Sequence, residues 1–166
     1  MRSERRNEGT PHVKKTVYLD MDNTLVDFAT AFPRLAPGVY DAYPQKDDIP
    51  GIFALMDPMP GAIEAVHELA PLFDVYVLST APWDNPSAWH DKVTWIRDQF
   101  GAGPESPLYK RLILSHHKNL NRGEFLVDDR PHKNGADRFG GELIHFGPGG
   151  THPTWPEVVA YLKERA

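Results

Sequence analysis

Residues 16–25 read Thr16-Val17-Tyr18-Leu19-Asp20-Met21-Asp22-Asn23-Thr24-Leu25, a short β-branched and apolar run that stops at two carboxylates one residue apart. An apolar run without polar alternation is the mark of a strand buried on both faces. Four more runs follow the same rule: Phe73–Leu78 (FDVYVL), Arg111–Leu114 (RLIL), Glu124–Val127 (EFLV) and Leu143–Phe146 (LIHF). Helical patterns fill several of the gaps. Gly61–Ala70 carries Ile63, Val66, Leu69 and Ala70 at helical spacing between Pro60 and Pro71. After Asn85-Pro86, the residues Trp89, Val93, Ile96 and Phe100 form a stripe that ends at Gly101, placed as a C′ glycine. A last helix starts from Thr154 as N-cap, with Pro156 in its first turn, and buries Trp155, Val159 and Leu162. Strands alternating with helices predict an α/β fold, a Rossmann-like three-layer sandwich with a central parallel sheet.

One stretch breaks the rhythm. Residues 27–59 are rich in Pro and aromatics, hold at most one weak helix near their start, and exceed an ordinary βα loop. They are expected to form a small cap insertion after strand one, within a single domain spanning 16–166. Residues 1–15 mix basic residues with Glu4 and Glu8 and lack an apolar segment. They read as a disordered tail, and not as a signal or transit peptide.

Composition narrows the function. The chain has 166 residues, no cysteine and a net charge of −5. The absence of cysteine removes disulfide frameworks, thiolate nucleophiles and Cys-based zinc sites, and fits a cytoplasmic protein. A mildly acidic chain is a poor binder of polymeric nucleic acid, and no apolar run reaches the roughly 20 residues that cross a bilayer. Oligomeric state is left open, a homodimer among the alternatives. Phosphate chemistry, if present, must be local.

In a doubly wound sheet, function collects at the carboxyl ends of the strands. Asp20 and Asp22 follow the first strand, Ser79-Thr80 the second, Ser115-His116-His117-Lys118 the third, and Asp128-Asp129 the fourth. Four acids brought together repel one another unless a cation and the lysine offset them. The cluster implies a metal, and all-oxygen ligands beside a phosphate favour Mg²⁺.

These residues resemble the haloacid dehalogenase phosphatase superfamily. Its first motif appears as Val17 to Thr24, its second as Leu78-Ser79-Thr80, its third as Lys118 and its fourth as Leu126-Val127-Asp128-Asp129. Within it the chain looks most like the 5′(3′)-deoxyribonucleotidases, through Asp20 to Phe28 (DMDNTLVDF), Pro60-Gly61-Ala62, and Arg111 to Leu114 leading through Lys118 to Asp129. It departs from that family at Ala81, where relatives often carry Ser, and at His116, where they often carry Arg. The resemblance implies hydrolysis of deoxyribonucleoside monophosphates through an aspartyl-phosphate. Asp20 would be the nucleophile, Asp22 the acid and base, and Thr80 and Lys118 the phosphoryl ligands. Asp20, the Asp22 carbonyl and Asp129 would hold Mg²⁺, with Asp128 behind them. Two alternatives stay open: a phosphatase for another small ester such as a sugar phosphate, and a non-catalytic phosphate-sensing or scaffold module.

Other residues keep two readings. Ser79 rivals Thr80 as the phosphate-binding hydroxyl. His116 lies on the phosphate side or merely in solvent. Phe28, Phe32, Tyr40, Tyr43 and Phe53 either line a slot that stacks a nucleobase, with Phe28 and Phe53 as its substrate contacts, or form the insertion's own small core. Trp83, Trp89 and Trp95 read as core or rim packing, Arg130 and Asp137 as surface pairs or braces of the motif-four loop, and Gly147 to Gly150 as a plain loop.

Overall fold

The computed structural model describes residues 13–166, so residues 1–12 of the expected tail lie outside the described residues. The chain runs through β1 (Thr16–Leu19), β2 (Val26–Asp27), α1 (Val39–Ala42), β3 (Asp57–Pro58), α2 (Ala62–Leu69), β4 (Asp74–Ser79), α3 (Ser87–Phe100), β5 (Leu112–Leu114), β6 (Phe125–Asp128), β7 (Glu142–His145) and α4 (Trp155–Lys163). Five strands form one sheet in the order β5-β4-β1-β6-β7, every pair parallel. Each expected strand is present within a residue of its expected bounds. Lys15, placed in the tail by its sequence, is already tied to the sheet, its carbonyl accepting from the Asp74 N–H at 2.9 Å.

The two faces of the sheet are covered unequally. Val17, Leu19, Val75, Val77, Phe125 and Val127 share one large core with residues of α2, α3, α4 and the insertion. On the opposite face, Tyr18, Leu78 and Leu126 meet only Ala136 and Phe139 among buried residues. The crossovers from β5 to β6 and from β6 to β7 contain single 3₁₀ turns, Lys118–Leu120 and Ala136–Arg138, instead of α-helices. The third layer of the sandwich is therefore thin, because these connections are too short and too rich in Gly, Pro and Asn to propagate a helix.

Helix α3 shows where periodicity misleads. The expected stripe places Trp89 and Val93 inside, but both are exposed, and the buried face is Ala88, Asp91, Lys92, Trp95, Ile96 and Phe100. Rotation follows from its partner. The helix packs on the insertion's turn Ile52–Leu55 and shares the sheet's large core, and the Trp95 indole N–H donates to the Met56 carbonyl at 2.9 Å. In α4, Trp155, Val158, Val159 and Leu162 are buried, and the Trp155 indole N–H donates to the Thr24 carbonyl at 2.9 Å. One tryptophan thus braces the insertion and the other braces the loop after β1.

Residues 28–55 consist of short turns between the antiparallel arms β2 and β3. Pro33, Pro37, Pro44 and Pro50 punctuate it, and each removes an amide donor and limits a helix to a turn or two. Edge-to-face contacts link Phe28 to Phe32 and to Phe53 at 5.7 Å each, and Phe32 to Tyr40 at 5.0 Å. Phe53 joins the main core, Phe28, Phe32 and Tyr43 pack against it, and Tyr40 stays exposed, so the insertion's aromatics extend the one large core and do not form a separate one. Among the described residues, no helix is long and apolar enough to cross a membrane.

Candidate active site

From β1 the chain winds to β4 and β5 on one side, then returns to β6 and β7 on the other. The crevice of such a sheet opens at this reversal, outside the carboxyl ends of β1 and β6. Asp20 stands there, its N–H donating to the Val127 carbonyl at 2.8 Å and so extending the ladder. Just beyond, the Met21 carbonyl accepts from the N–H groups of Thr24, Leu25 and Val26 at 3.2, 2.9 and 2.9 Å. Asn23 turns the chain with a φ of 55°, a left-handed conformation that asparagine tolerates. The tight loop sets Asp22 back against the end of β4.

Lys118 is buried, and its Nζ donates to Asp20 Oδ1 at 2.8 Å and to Asp128 Oδ2 at 2.6 Å. Burial works against its charge, but the carboxylates of Asp20 and Asp128 overcome this and raise its pKa. Asp128 Oδ1 accepts the Arg130 N–H at 2.8 Å, so both oxygens of Asp128 are engaged. Asp20 Oδ2 and Asp129 Oδ1 are buried with no hydrogen-bond partner. Carboxylate oxygens of Asp20, Asp128 and Asp129 lie within 4.8 Å of one another. Burial, then repulsion from Asp20, pushes Asp128 up to about 6 against the pull of Lys118, and pushes Asp129 up to about 7 with Asp128 adding to the repulsion. Two orphaned anionic oxygens beside one another are costly unless a cation meets them, and oxygen-only donors suit a hard divalent ion. These residues fit a metal.

Asp22 lies apart from that cluster. Its Oδ1 and Oδ2 accept from Lys92 Nζ at 2.7 and 2.9 Å, and the same ammonium donates to Ser79 Oγ at 3.0 Å. Lys92 has 0% exposure, and its Nζ sits 4.3 Å from the centre of the Phe53 ring. Burial raises the pKa of Asp22, with Lys92 opposing and Asp20 reinforcing. Sequence reasoning missed Lys92 because the expected stripe ran through Trp89 and Val93. The signal was present: a lysine four residues after Ala88 and three before Trp95 lies on the true buried face.

Ser79 is occupied by Lys92, which leaves Thr80 as the remaining hydroxyl at this strand end; its Oγ1 donates to the Ser115 carbonyl at 2.8 Å. His117 is exposed and His116 half-buried, the latter's ring 6.1 Å from Trp83 and 6.3 Å from Trp89. Trp83 itself is 78% exposed, so it is a rim residue and not core; Trp95 alone of the three is buried. Phe53 is 1% exposed beneath Phe28 and beside Lys92, which removes it as a direct substrate contact. Asn23 borders two cavities. One, of about 270 Å³, is lined by Asp22, Phe28, Gln45 and Arg130. The other, of about 790 Å³, is lined by Asp129, Met59, Phe146, Gly147 and Pro148, so the loop expected to be plain contributes to a cavity wall. Arg130, read from sequence as a surface pair or a brace of the motif-four loop, holds Asp128 through its backbone N–H and also lines the small cavity.

A parallel five-stranded sheet that brings acids from two strand ends, a lysine from a third and hydroxyls from a fourth to one edge, with a metal-fitting acid cluster there, is the architecture of a haloacid dehalogenase-type phosphatase. Among solved structures, the HAD-hydrolase YfnB from Bacillus subtilis, bound to magnesium, shares the fold with a TM-score of 0.59 at 13% identity, over 90% of this chain and 99% of that one. Residues 35–152 match the family described as 5′ nucleotidase, deoxy (pyrimidine), cytosolic type C. A protein of Vibrio phage KVP40, inferred to be a 5′(3′)-deoxyribonucleotidase, is 53% identical over 150 residues, 90% of this chain and 85% of its own length. The mouse mitochondrial 5′(3′)-deoxyribonucleotidase is 25% identical over 130 residues, 77% of this chain and 51% of that protein. A Bordetella pertussis protein inferred to have the same activity is 34% identical over 113 residues, covering 68% and 55%. The chain spans about half the length of these last two relatives. It belongs to the 5′(3′)-deoxyribonucleotidase family.

Proposed function

We propose that this phosphatase is Mg²⁺-dependent and hydrolyses deoxyribonucleoside monophosphates through an aspartyl-phosphate on Asp20. The observation that carries this is the pinned nucleophile: Lys118 holds Asp20 Oδ1, while Asp20 Oδ2 and Asp129 Oδ1 remain buried and unpartnered. Asp20, Asp129 and the Asp22 backbone carbonyl would hold Mg²⁺, and Asp128, with both oxygens engaged, acts behind them by fixing Lys118. When bound, the ion screens the phosphate's charge and orients it.

Asp20 attacks phosphorus as the ester P–O bond breaks, and the leaving oxygen takes a proton from Asp22. In the second half Asp22 takes a proton from water, which attacks the phosphoryl-Asp20 and releases inorganic phosphate. Lys118 neutralises charge on Asp20 and on the phosphoryl oxygens. Thr80 contributes by turning its hydroxyl proton from the Ser115 carbonyl to a phosphoryl oxygen. His116, beside Trp83 and Trp89, stands at the same rim, on the phosphate side.

The insertion at 27–59 serves as the cap. The small cavity between Asp22, Phe28 and Arg130 is the place for the leaving nucleoside, with the Phe28 ring as a stacking face; such stacking is worth roughly 1–3 kcal/mol. Phe53 supports this wall from beneath. A chain without cysteine fits a cytoplasmic setting. The test is a steady-state panel with Mg²⁺: deoxynucleoside monophosphates exceed ribose phosphate and phosphoglycolate in kcat/KM, Asp20→Asn abolishes turnover in a folded chain, and a chelator stops it. A flat panel removes the nucleotide assignment, and activity retained in chelator removes the metal.

A further inference from the structure

The buried ammonium of Lys92 has no role in the chemistry assigned above, although it contacts the side chain that moves the proton. All three of its N–H bonds are used, two on Asp22 and one on Ser79, and the Phe53 ring closes the remaining side. Removing a lysine from water is costly, and a pair kept only for stability is replaceable by apolar groups of similar volume. Here the carboxylate partner borders the small cavity beside Phe28 and Arg130. Ser79 ends β4, and Phe53 lies on the insertion's turn, so three separate parts of the chain fix one ammonium. One turn further along α3, Trp95 fastens that helix to the insertion through the Met56 carbonyl.

We propose that Lys92 is the positioning residue for proton transfer: its forked hold on both oxygens of Asp22 keeps that carboxylate at the wall of the leaving-group cavity, and its seat under Phe53 makes this placement depend on the docked insertion. The proposal rests on Asp22 as acid and base. A carboxylate free to take several rotamers spends little time in the reactive one, and a misplacement of about 1 Å costs on the order of 10²-fold in rate.

The test is a cycle of Lys92→Met, Asp22→Asn and the double variant, assayed with Mg²⁺ on two esters. An alkyl phosphate such as deoxythymidine 5′-monophosphate needs a proton on its leaving oxygen; if wild type does not turn it over, ribose 5-phosphate takes its place. p-Nitrophenyl phosphate leaves as a stable phenolate. The readout is kcat/KM, which reports the first bond-breaking half. Lys92→Met is expected to lower it about 10²-fold on the alkyl ester and less than about threefold on the aryl ester. Asp22→Asn shows the same selectivity, and the double variant is no worse than Asp22→Asn. An equal loss on both esters, or losses that multiply in the double variant, overturns the proposal. If Lys92→Met alone does not fold, Ser79→Ala decides: a smaller loss confined to the alkyl ester supports the positioning role, and an unselective loss overturns it. An Asp22→Asn variant with no ester selectivity identifies the failure of the acid–base assignment, separately from that of Lys92.

Discussion

Two lysines are buried among the described residues, and each is paired with an aspartate from the loop after β1. Lys118 enters on a single 3₁₀ turn from the thin face of the sheet and bridges Asp20 and Asp128. Lys92 enters from a 14-residue helix on the thick face and grips Asp22 alone, with Ser79 as its third partner. The first pair leaves carboxylate oxygens of Asp20 and Asp129 unsatisfied, and the second leaves nothing unsatisfied in its ammonium. Unsatisfied carboxylate oxygens leave room for a ligand at the Asp20 corner, whereas the satisfied ammonium of Lys92 fixes Asp22 by packing against the insertion, beside the small cavity.

Breaking the open corner has the largest effect. Lys118→Met leaves Asp20 and Asp128 facing each other in a buried site; kcat/KM falls by about 10³-fold and stability falls by about 3–5 kcal/mol, both read from kinetics and denaturant melts. Breaking the pair of Lys92 and Asp22 costs less activity on aryl esters but comparable stability. Lys92→Met strands a buried Asp22 and destabilises by about 3 kcal/mol, while the double variant with Asp22→Asn regains most of it, a non-additive cycle in urea unfolding.

Proton linkage adds a pH dependence at the open corner. Burial and the neighbouring Asp20 push Asp128 up to about 6 and Asp129 up to about 7, from 3.8 for a free aspartate. Because folding raises these values, the stability they contribute is fully present below about pH 4 and is lost as pH rises through about 6 and 7. In chelator, Tm therefore falls across this window. On the proposed metal site Mg²⁺ needs Asp129 ionised, so the Tm gained on adding it grows as pH rises towards about 7; a gain independent of pH would place the ion elsewhere. The smallest effect is at the brace: Trp95→Phe removes the hydrogen bond to the Met56 carbonyl, costs about 1 kcal/mol and lowers Tm by roughly 2–4 °C.

Much of this was legible along the chain. The runs Thr16–Leu19, Val75–Leu78 and Phe125–Val127 are apolar because these strands lie in the middle of the sheet, and the polar residues come at their carboxyl ends, where the crevice opens. Asp20, Thr80, Lys118 and Asp128-Asp129 could be named from those ends. Three features were not legible. The rotation of α3 depends on a turn of the insertion some forty residues earlier, which no local period encodes. The thin third layer follows from connection length and composition more than from hydrophobic pattern. Phe53, expected as a substrate contact, is buried, and only the structure chose the rim for Trp83 over the core, because aromatics serve a core and a binding wall with the same chemistry.

The sequence by itself determined the sheet, the order of its strand ends and the identity of the carboxylates and the lysine gathered there, since strand burial and topology constrain these through short-range pattern. Tertiary structure decided which oxygens are satisfied and which are left for a ligand, and which lysine sits beside Asp22. Those outcomes depend on distances between residues 70 or more positions apart, and such distances are set by how the helices and the insertion pack, not by the order of residues within any one of them.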